Sequence, residues 1–118
     1  MEHLEPRQFD TFLSLGQKSL VMFYADWCPF CQRFKPFFEQ QYLEMNQKSS
    51  LKVYACKLNE DENPLWDKFS VNAVPTLIAF YSSKENGNQI IARRDAKMGI
   101  GLTKNDLDSI IKEVNKHK

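Results

Sequence analysis

Most of the marks of a specialised protein class are missing from this chain. Three cysteines in 118 residues are too few, and odd in number, to staple a small secreted domain, so stability must come from a buried core. Neither sign of charge dominates: 16 basic side chains stand against 15 acidic ones, which removes the basic footprint expected of a nucleic-acid binder. The longest apolar runs, such as Ser19 to Ala25 and Val74 to Tyr81, fall far short of the roughly 20 residues that a membrane-spanning helix needs. Residues Met1 to Arg7 include acids and a proline and hold no apolar segment. They do not read as a secretory signal, which makes the cytoplasm the default expectation; a domain from an oxidising compartment with its leader removed would read the same. No repeat or low-complexity stretch is visible.

What is present suits one compact domain spanning residues 1–118, with nine phenylalanines, four tyrosines and two tryptophans to fill its core. Strand-like and helix-like stretches alternate, the order of an α/β domain. Phe9, Phe12, Leu13 and Leu15 suggest a first helix over Pro6 to Leu15, closed by Gly16. Leu20 to Ala25 is almost wholly apolar, as expected of a central strand covered on both faces. Beyond Pro29, Phe34, Phe37, Phe38, Tyr42 and Met45 recur at helical spacing. Pro36 falls inside that helix and predicts a kink, because its ring crowds the carbonyl of Gln32. A strand over Leu51 to Leu58 and a short helix over Asn63 to Phe69 follow, with Pro64 suited to the first helical position. Pro75 to Tyr81 and Gln89 to Arg93 predict a hairpin whose second strand lies at the sheet edge. Thr103, with Asp106 three residues on, caps a last helix whose buried stripe is Leu107, Ile110, Ile111 and Val114.

The chemistry concentrates at Cys28-Pro29-Phe30-Cys31. Two thiols at i and i+3 are close enough for an intramolecular disulfide that opens and closes without unfolding the chain. A sulfur at a helix N-terminus meets unpaired N–H groups and the positive end of the helix dipole, which favour the thiolate, the reactive form. Cys28 has that place. Cys31, one turn inside, is expected to be less exposed and slower to ionise, so Cys28 attacks and Cys31 resolves. The competing reading of such a pair is half of a zinc site. The further ligands would have to be Cys56, His3 and His117, two of them at the extreme ends, so no metal is expected. Cys56 itself reads as a small buried hydrophobe.

The run Phe23-Tyr24-Ala25-Asp26-Trp27-Cys28-x-x-Cys31, then Pro36, then Lys57-Leu58-Asn59-x-Asp61-x-Asn63-Pro64, then Val74-Pro75-Thr76-Leu77 resembles the thioredoxin family in motif, order and spacing over nearly the whole chain. The resemblance implies a thioredoxin fold: a central five-stranded mixed sheet, three strands parallel and the final hairpin antiparallel, flanked by four helices. It implies that Trp27 is the active-site tryptophan, Cys28 the nucleophile and Cys31 the resolving thiol. It also implies that the Val74–Pro75 bond is cis, faces the cysteines and offers backbone groups to an extended substrate. Trp27, Pro29, Phe30, Val74 and Pro75 are thus the expected substrate-binding residues, and Lys57 a supporting one.

Two departures bear on direction. Where most of the family has a buried acid, six residues before the nucleophile, this chain has Met22, so Lys57 is expected to lack its carboxylate partner and Cys31 to lose its proton slowly, through water or Lys57. Pro-Phe replaces the usual Gly-Pro between the cysteines, which suggests a couple less reducing than typical thioredoxin; Pro29 could equally just fill the favoured first helical position and Phe30 add apolar contact. Glycines flank the family's position at Met98-Gly99-Ile100-Gly101-Leu102. Arg93 and Arg94 read as a solvated strand edge, and Trp66 as packing on the sheet.

The leading expectation is a protein-disulfide reductase, monomeric, without cofactor, and recharged by a flavin reductase or another dithiol donor. An oxidase or isomerase in the same fold, and a redox-switched binding module, are the alternatives.

Overall fold

A computed structural model describes residues 3–5, 9, 15–48, 51–60 and 62–116. In chain order the elements are β1 (Lys18–Tyr24), α1 (Pro29–Lys48), β2 (Lys52–Lys57), α2 (Leu65–Lys68), β3 (Thr76–Ser83), β4 (Gly87–Asp95) and α3 (Lys104–Lys116). The strands form one mixed sheet in the order β2-β1-β3-β4. β1 runs parallel to β2 and antiparallel to β3, and β4 closes the hairpin.

β1 holds the middle of the sheet because its side chains are apolar on both sides: Leu20, Val21, Met22 and Phe23 are all fully buried. Alternation along the strand divides them between two faces. Phe23 joins Phe9, Phe69 and Phe80 on one, with ring centroids 4.9 Å apart for Phe9–Phe69 and 5.3 Å for both Phe9–Phe80 and Phe69–Phe80. Offset and edge-to-face contacts of this kind add about 0.5–1.5 kcal/mol per pair beyond the area buried. Met22 and Tyr24 point to the opposite face. There α1 lies against β2, and its Lys35 ammonium sits 5.3 Å from the Tyr24 ring centroid. α3 touches α1 and packs on β3 and β4 through Leu107, Ile110, Ile111 and Val114.

Capping follows the sequence. The Thr103 N–H donates to Asp106 Oδ2 at 2.9 Å and the Asp106 N–H donates back to Thr103 Oγ1 at 3.3 Å, a reciprocal box that satisfies two end donors. Asn63 Oδ1 accepts from the Leu65 N–H at 3.0 Å, so Pro64, with φ −66°, stands at the cap of α2 rather than in its first turn.

The element count differs from expectation. Among the described residues there are four strands and three helices. In place of a fifth strand, a single parallel bridge joins His3 to Ala55, with the Leu4 N–H donating to the Ala55 carbonyl at 2.8 Å. His3-Leu4-Glu5-Pro6 has one apolar side chain to bury and a proline that cannot donate to a ladder, which is poor material for a longer strand. The expected helix over residues 6–15 lies, apart from buried Phe9 and exposed Leu15, outside the described residues. α1 runs through Pro36 as one helix.

β4 forms the outer edge of the hairpin. Ala79 pairs with Ala92 but Phe80 pairs with Ile90, so one extra residue bulges from the edge strand. Arg93 and Arg94 are more engaged than a solvated edge. Arg93 donates to the carbonyls of Phe69 and Ser70 and pairs with Asp95; Arg94 reaches Glu113 at 2.7 Å and Ser109 at 3.0 Å. Side chains long enough to fold back over neighbouring elements find these acceptors, which sequence spacing does not show.

Candidate active site

The site forms where β1 stops. After Tyr24 the chain turns through Ala25, Asp26 and Trp27, with the Cys28 N–H donating to the Ala25 carbonyl at 3.3 Å, and α1 begins at Pro29. Proline is preorganised there, since its fixed φ is helical and its missing N–H would have had no partner. Cys28 is therefore the cap residue, its carbonyl accepting from the Gln32 N–H at 3.1 Å.

Both active-site sulfurs are free thiols and largely covered, Cys28 at 6% exposure and Cys31 at 2%. The Cys28 thiol donates to the Val74 carbonyl at 3.4 Å, and the Val74–Pro75 peptide bond is cis. The structure thus sets Cys28 Sγ against the Val74 carbonyl beside cis Pro75, with Cys31 one turn further along α1. Burial pushes the Cys31 thiol up to about 12; a backbone hydrogen bond from Ala25 opposes this, and the neighbouring Cys28 thiol adds to it. Cys56 is fully buried on β2, pushed up to about 12 mainly by burial, and lies opposite Phe23 in the sheet register.

A polar clamp holds the turn in front of the thiols. The Asp26 N–H donates to Asn59 Oδ1 at 2.9 Å and the Asn59 amide donates back to Asp26 Oδ2 at 3.1 Å. The Trp27 indole N–H donates to the Asn59 carbonyl at 3.1 Å, leaving the ring 57% exposed. Lys57 corrects the expectation drawn from Met22: its ammonium has a carboxylate after all, Asp26 Oδ2 at 3.0 Å. The Asn59 amide and then Lys57 hold the Asp26 carboxyl below its ordinary range, and Asp26 in turn raises Lys57. Both side chains are about half exposed, so solvent screens the pair. Met22 is fully buried between Ala55 and Leu77.

On the other flank Phe30 is half-buried against the loop before α3. Gly101, at φ +75°, comes so close that an added Cβ would lie 2.8 Å from Phe30 Cβ, and the Arg33 guanidinium stacks over the Phe30 ring at 5.0 Å. The roles of Asp26, Asn59 and Arg33 are not visible in sequence, and Gly101 stands there only as one of two glycines flanking the family's position. Asp26 and Asn59 stand inside the motifs already quoted, and their partnership across two loops had no spacing signal. Trp66 packs against the core and donates its indole N–H to the Glu60 carbonyl at 3.0 Å.

Two covered thiols one helical turn apart, at a strand-to-helix junction and beside a cis proline, define a protein built for dithiol–disulfide exchange. The chain belongs to the thioredoxin family: the family model Thioredoxin matches residues 1–112. A thioredoxin of Chlamydia caviae is 30% identical over 110 residues, covering 92% of this chain and 90% of that protein. Endoplasmic reticulum resident protein 44.2 of Caenorhabditis elegans is 29% identical over 106 residues, and the chain spans 26% of that protein's length. A chain in the crystal structure of the ferredoxin:thioredoxin reductase and thioredoxin f2 complex superposes with TM-score 0.77 at 14% identity, covering 98% of this chain and 94% of that one. The protein is accordingly a thiol–disulfide oxidoreductase of thioredoxin type.

Proposed function

We propose that this protein reduces disulfides in other proteins, with Cys28 as nucleophile and Cys31 as resolving thiol. The observation that carries the reading is the Cys28 thiol facing the Val74 carbonyl beside cis Pro75, with Cys31 more deeply covered behind it. Cys28 thiolate attacks one sulfur of the substrate disulfide, forming a mixed disulfide and expelling the other sulfur as a thiolate. Cys31, once deprotonated, attacks Cys28 Sγ and expels the second substrate thiolate. The substrate gains two electrons and two protons, and the protein is left with a Cys28–Cys31 disulfide. The exposed Trp27 ring, Pro29, Phe30 and the Val74–Pro75 backbone form the contact surface, an extended substrate lying along the latter as a short added strand. Lys57, tied to Asp26, supports the turn.

Recharging requires an external dithiol or a flavin reductase, and the complex of a structurally similar thioredoxin f2 with a reductase supports a protein donor. A monomer in a reducing compartment, the cytoplasm first, suits thiols that must be re-reduced after every cycle.

Insulin disulfide reduction with excess dithiol tests the reading. Wild-type protein turns over, Cys28→Ser does not, and Cys31→Ser accumulates mixed disulfide. An inactive but folded wild type would leave a binding module. The measured reduction potential then fixes direction: about −270 mV is thioredoxin-like, whereas about −180 mV would make the protein an isomerase, the reading that Pro29-Phe30 and Met22 favour.

A further inference from the structure

Beside the dithiol, and sharing only Phe30 with the contact surface described above, lies a cleft between α1 and the loop before α3. Its floor and walls are apolar, formed by Phe30, Phe37, Ile100 and Leu102, and its charged rim is Arg33 and Lys104, with no acidic residue lining it. The apolar walls are unusually open to water for side chains of their size: Phe37 is 43% exposed and Ile100 57%. Neither rim cation is neutralised, since among the described residues no carboxylate lies within ion-pair distance of Arg33 or Lys104. On α3, Asp106 is occupied by the Thr103 cap and by Lys97.

We propose that this cleft selects substrates, taking from the polypeptide beside the target disulfide one large apolar side chain and one acidic side chain next to it. This rests on the reductase reading above and adds the sequence class of its substrates. Phe30 stands between Cys28 and Cys31 and lines the cleft, so with one side of a captured cysteine lying along the Val74–Pro75 backbone, the residues on its other side reach the cleft across the Phe30 ring. Phe37 and Ile100 give a side chain there something to bury against, and the two cations attract a carboxylate while repelling lysine or arginine. Arg33 is held in place for this by its stacking on Phe30. The close contact between Gly101 and Phe30 fixes the opposite wall.

The test uses the full-length protein and two disulfide-linked peptides, identical except that a phenylalanine near the cysteine is followed by two glutamates in one and two lysines in the other. Hydroxyethyl disulfide, which carries no charge and is too small to reach the cleft, serves as a reference for wild-type turnover. At low salt kcat/KM is expected to favour the acidic peptide by roughly fivefold, the size of two solvent-exposed charge contacts, with the preference shrinking as salt screens them. The double substitution Arg33→Glu and Lys104→Glu is expected to invert the ratio. Both side chains border solvent, and a ratio within one preparation is insensitive to how much protein is active. Equal kcat/KM for the two peptides with hydroxyethyl disulfide still reduced overturns the cleft and leaves the reductase reading standing. Failure to reduce hydroxyethyl disulfide as well overturns both.

Discussion

Lys57 Nζ lies 3.0 Å from Asp26 Oδ2, so a lysine that family pattern would pair with an acid inside the sheet is instead turned outward to the active-site turn. Asp26 is held there from a second side by Asn59. At residue 22, where the family pattern has an acid, buried Met22 can neither accept nor donate the proton of Cys31.

Replacing Met22 by aspartate should expose this arrangement. A carboxylate enclosed between Ala55 and Leu77, with Lys57 already engaged, costs about 3–5 kcal/mol when left unpaired. Burial raises its pKa in the folded state, so the loss of stability is small at pH 4 and grows as pH rises through the carboxyl's unfolded value. The same variant is expected to speed release of the mixed disulfide, followed by stopped-flow fluorescence of Trp27. Unchanged release at neutral pH would show that Cys31 does not wait for a base at residue 22.

The pH profile of the resolving step carries a second expectation. Cys31 is pushed up to about 12 chiefly by burial, and burial persists when Cys28 is tied up in the mixed disulfide. Release should then accelerate by close to tenfold per pH unit between about pH 7 and 10, because only the thiolate attacks. A rate that levels off below pH 9 in rapid-quench measurements would mean that the proton leaves by a route the buried thiol alone does not provide.

Cys56 makes a prediction about stability alone. Its thiol is pushed from an ordinary 9.0 up to about 12, so above pH 9 the unfolded chain releases a proton that the folded chain keeps. The unfolded state then binds fewer protons, and stability falls with rising pH by up to about 1.4 kcal/mol per pH unit for this group. Cys56→Ala should flatten the slope of urea-unfolding free energy between pH 9 and 11 by nearly that much, whatever it does to the value at pH 7. Parallel slopes for the two proteins would contradict the burial argument.

Gly101 and Phe30 should behave as a pair. Gly101→Ala places a methyl 2.8 Å from Phe30 Cβ at φ +75°, and is expected to cost about 1–3 kcal/mol from backbone and contact together. Adding Phe30→Ala removes part of the clash. The double-mutant cycle should return a coupling of at least about 0.5 kcal/mol, and strict additivity would show that the loop shifts to make room.

How much could be read from sequence depended on whether a feature was carried by one segment or shared by two. The apolar run of β1, the helical stripe of Leu107, Ile110, Ile111 and Val114, and the Thr103–Asp106 cap are local patterns, and each appears as expected. So does the placing of Cys28 ahead of α1. The cis bond at Pro75 followed only from family resemblance, since an X-Pro sequence is compatible with either isomer. The partner of Lys57 is not legible because the family pattern points to residue 22, and nothing in the spacing of Asp26, Lys57 and Asn59 says that two loops meet. Arg93 and Arg94 failed for the same reason: their acceptors sit on the turn after α2 and on α3. The charged cleft combines α1 with the loop at Ile100 and has no signature in either segment by itself.

The extra residue in β4 opposite Ala79 and Phe80 bears on traffic at the sheet. An open sheet margin offers its unpaired donors and acceptors to any extended backbone that meets it. The bulge spoils the even run of donors and acceptors along the far rim, and the guanidinium groups of Arg93 and Arg94 crowd its end. Stray extended chains find no regular ladder to join along β4.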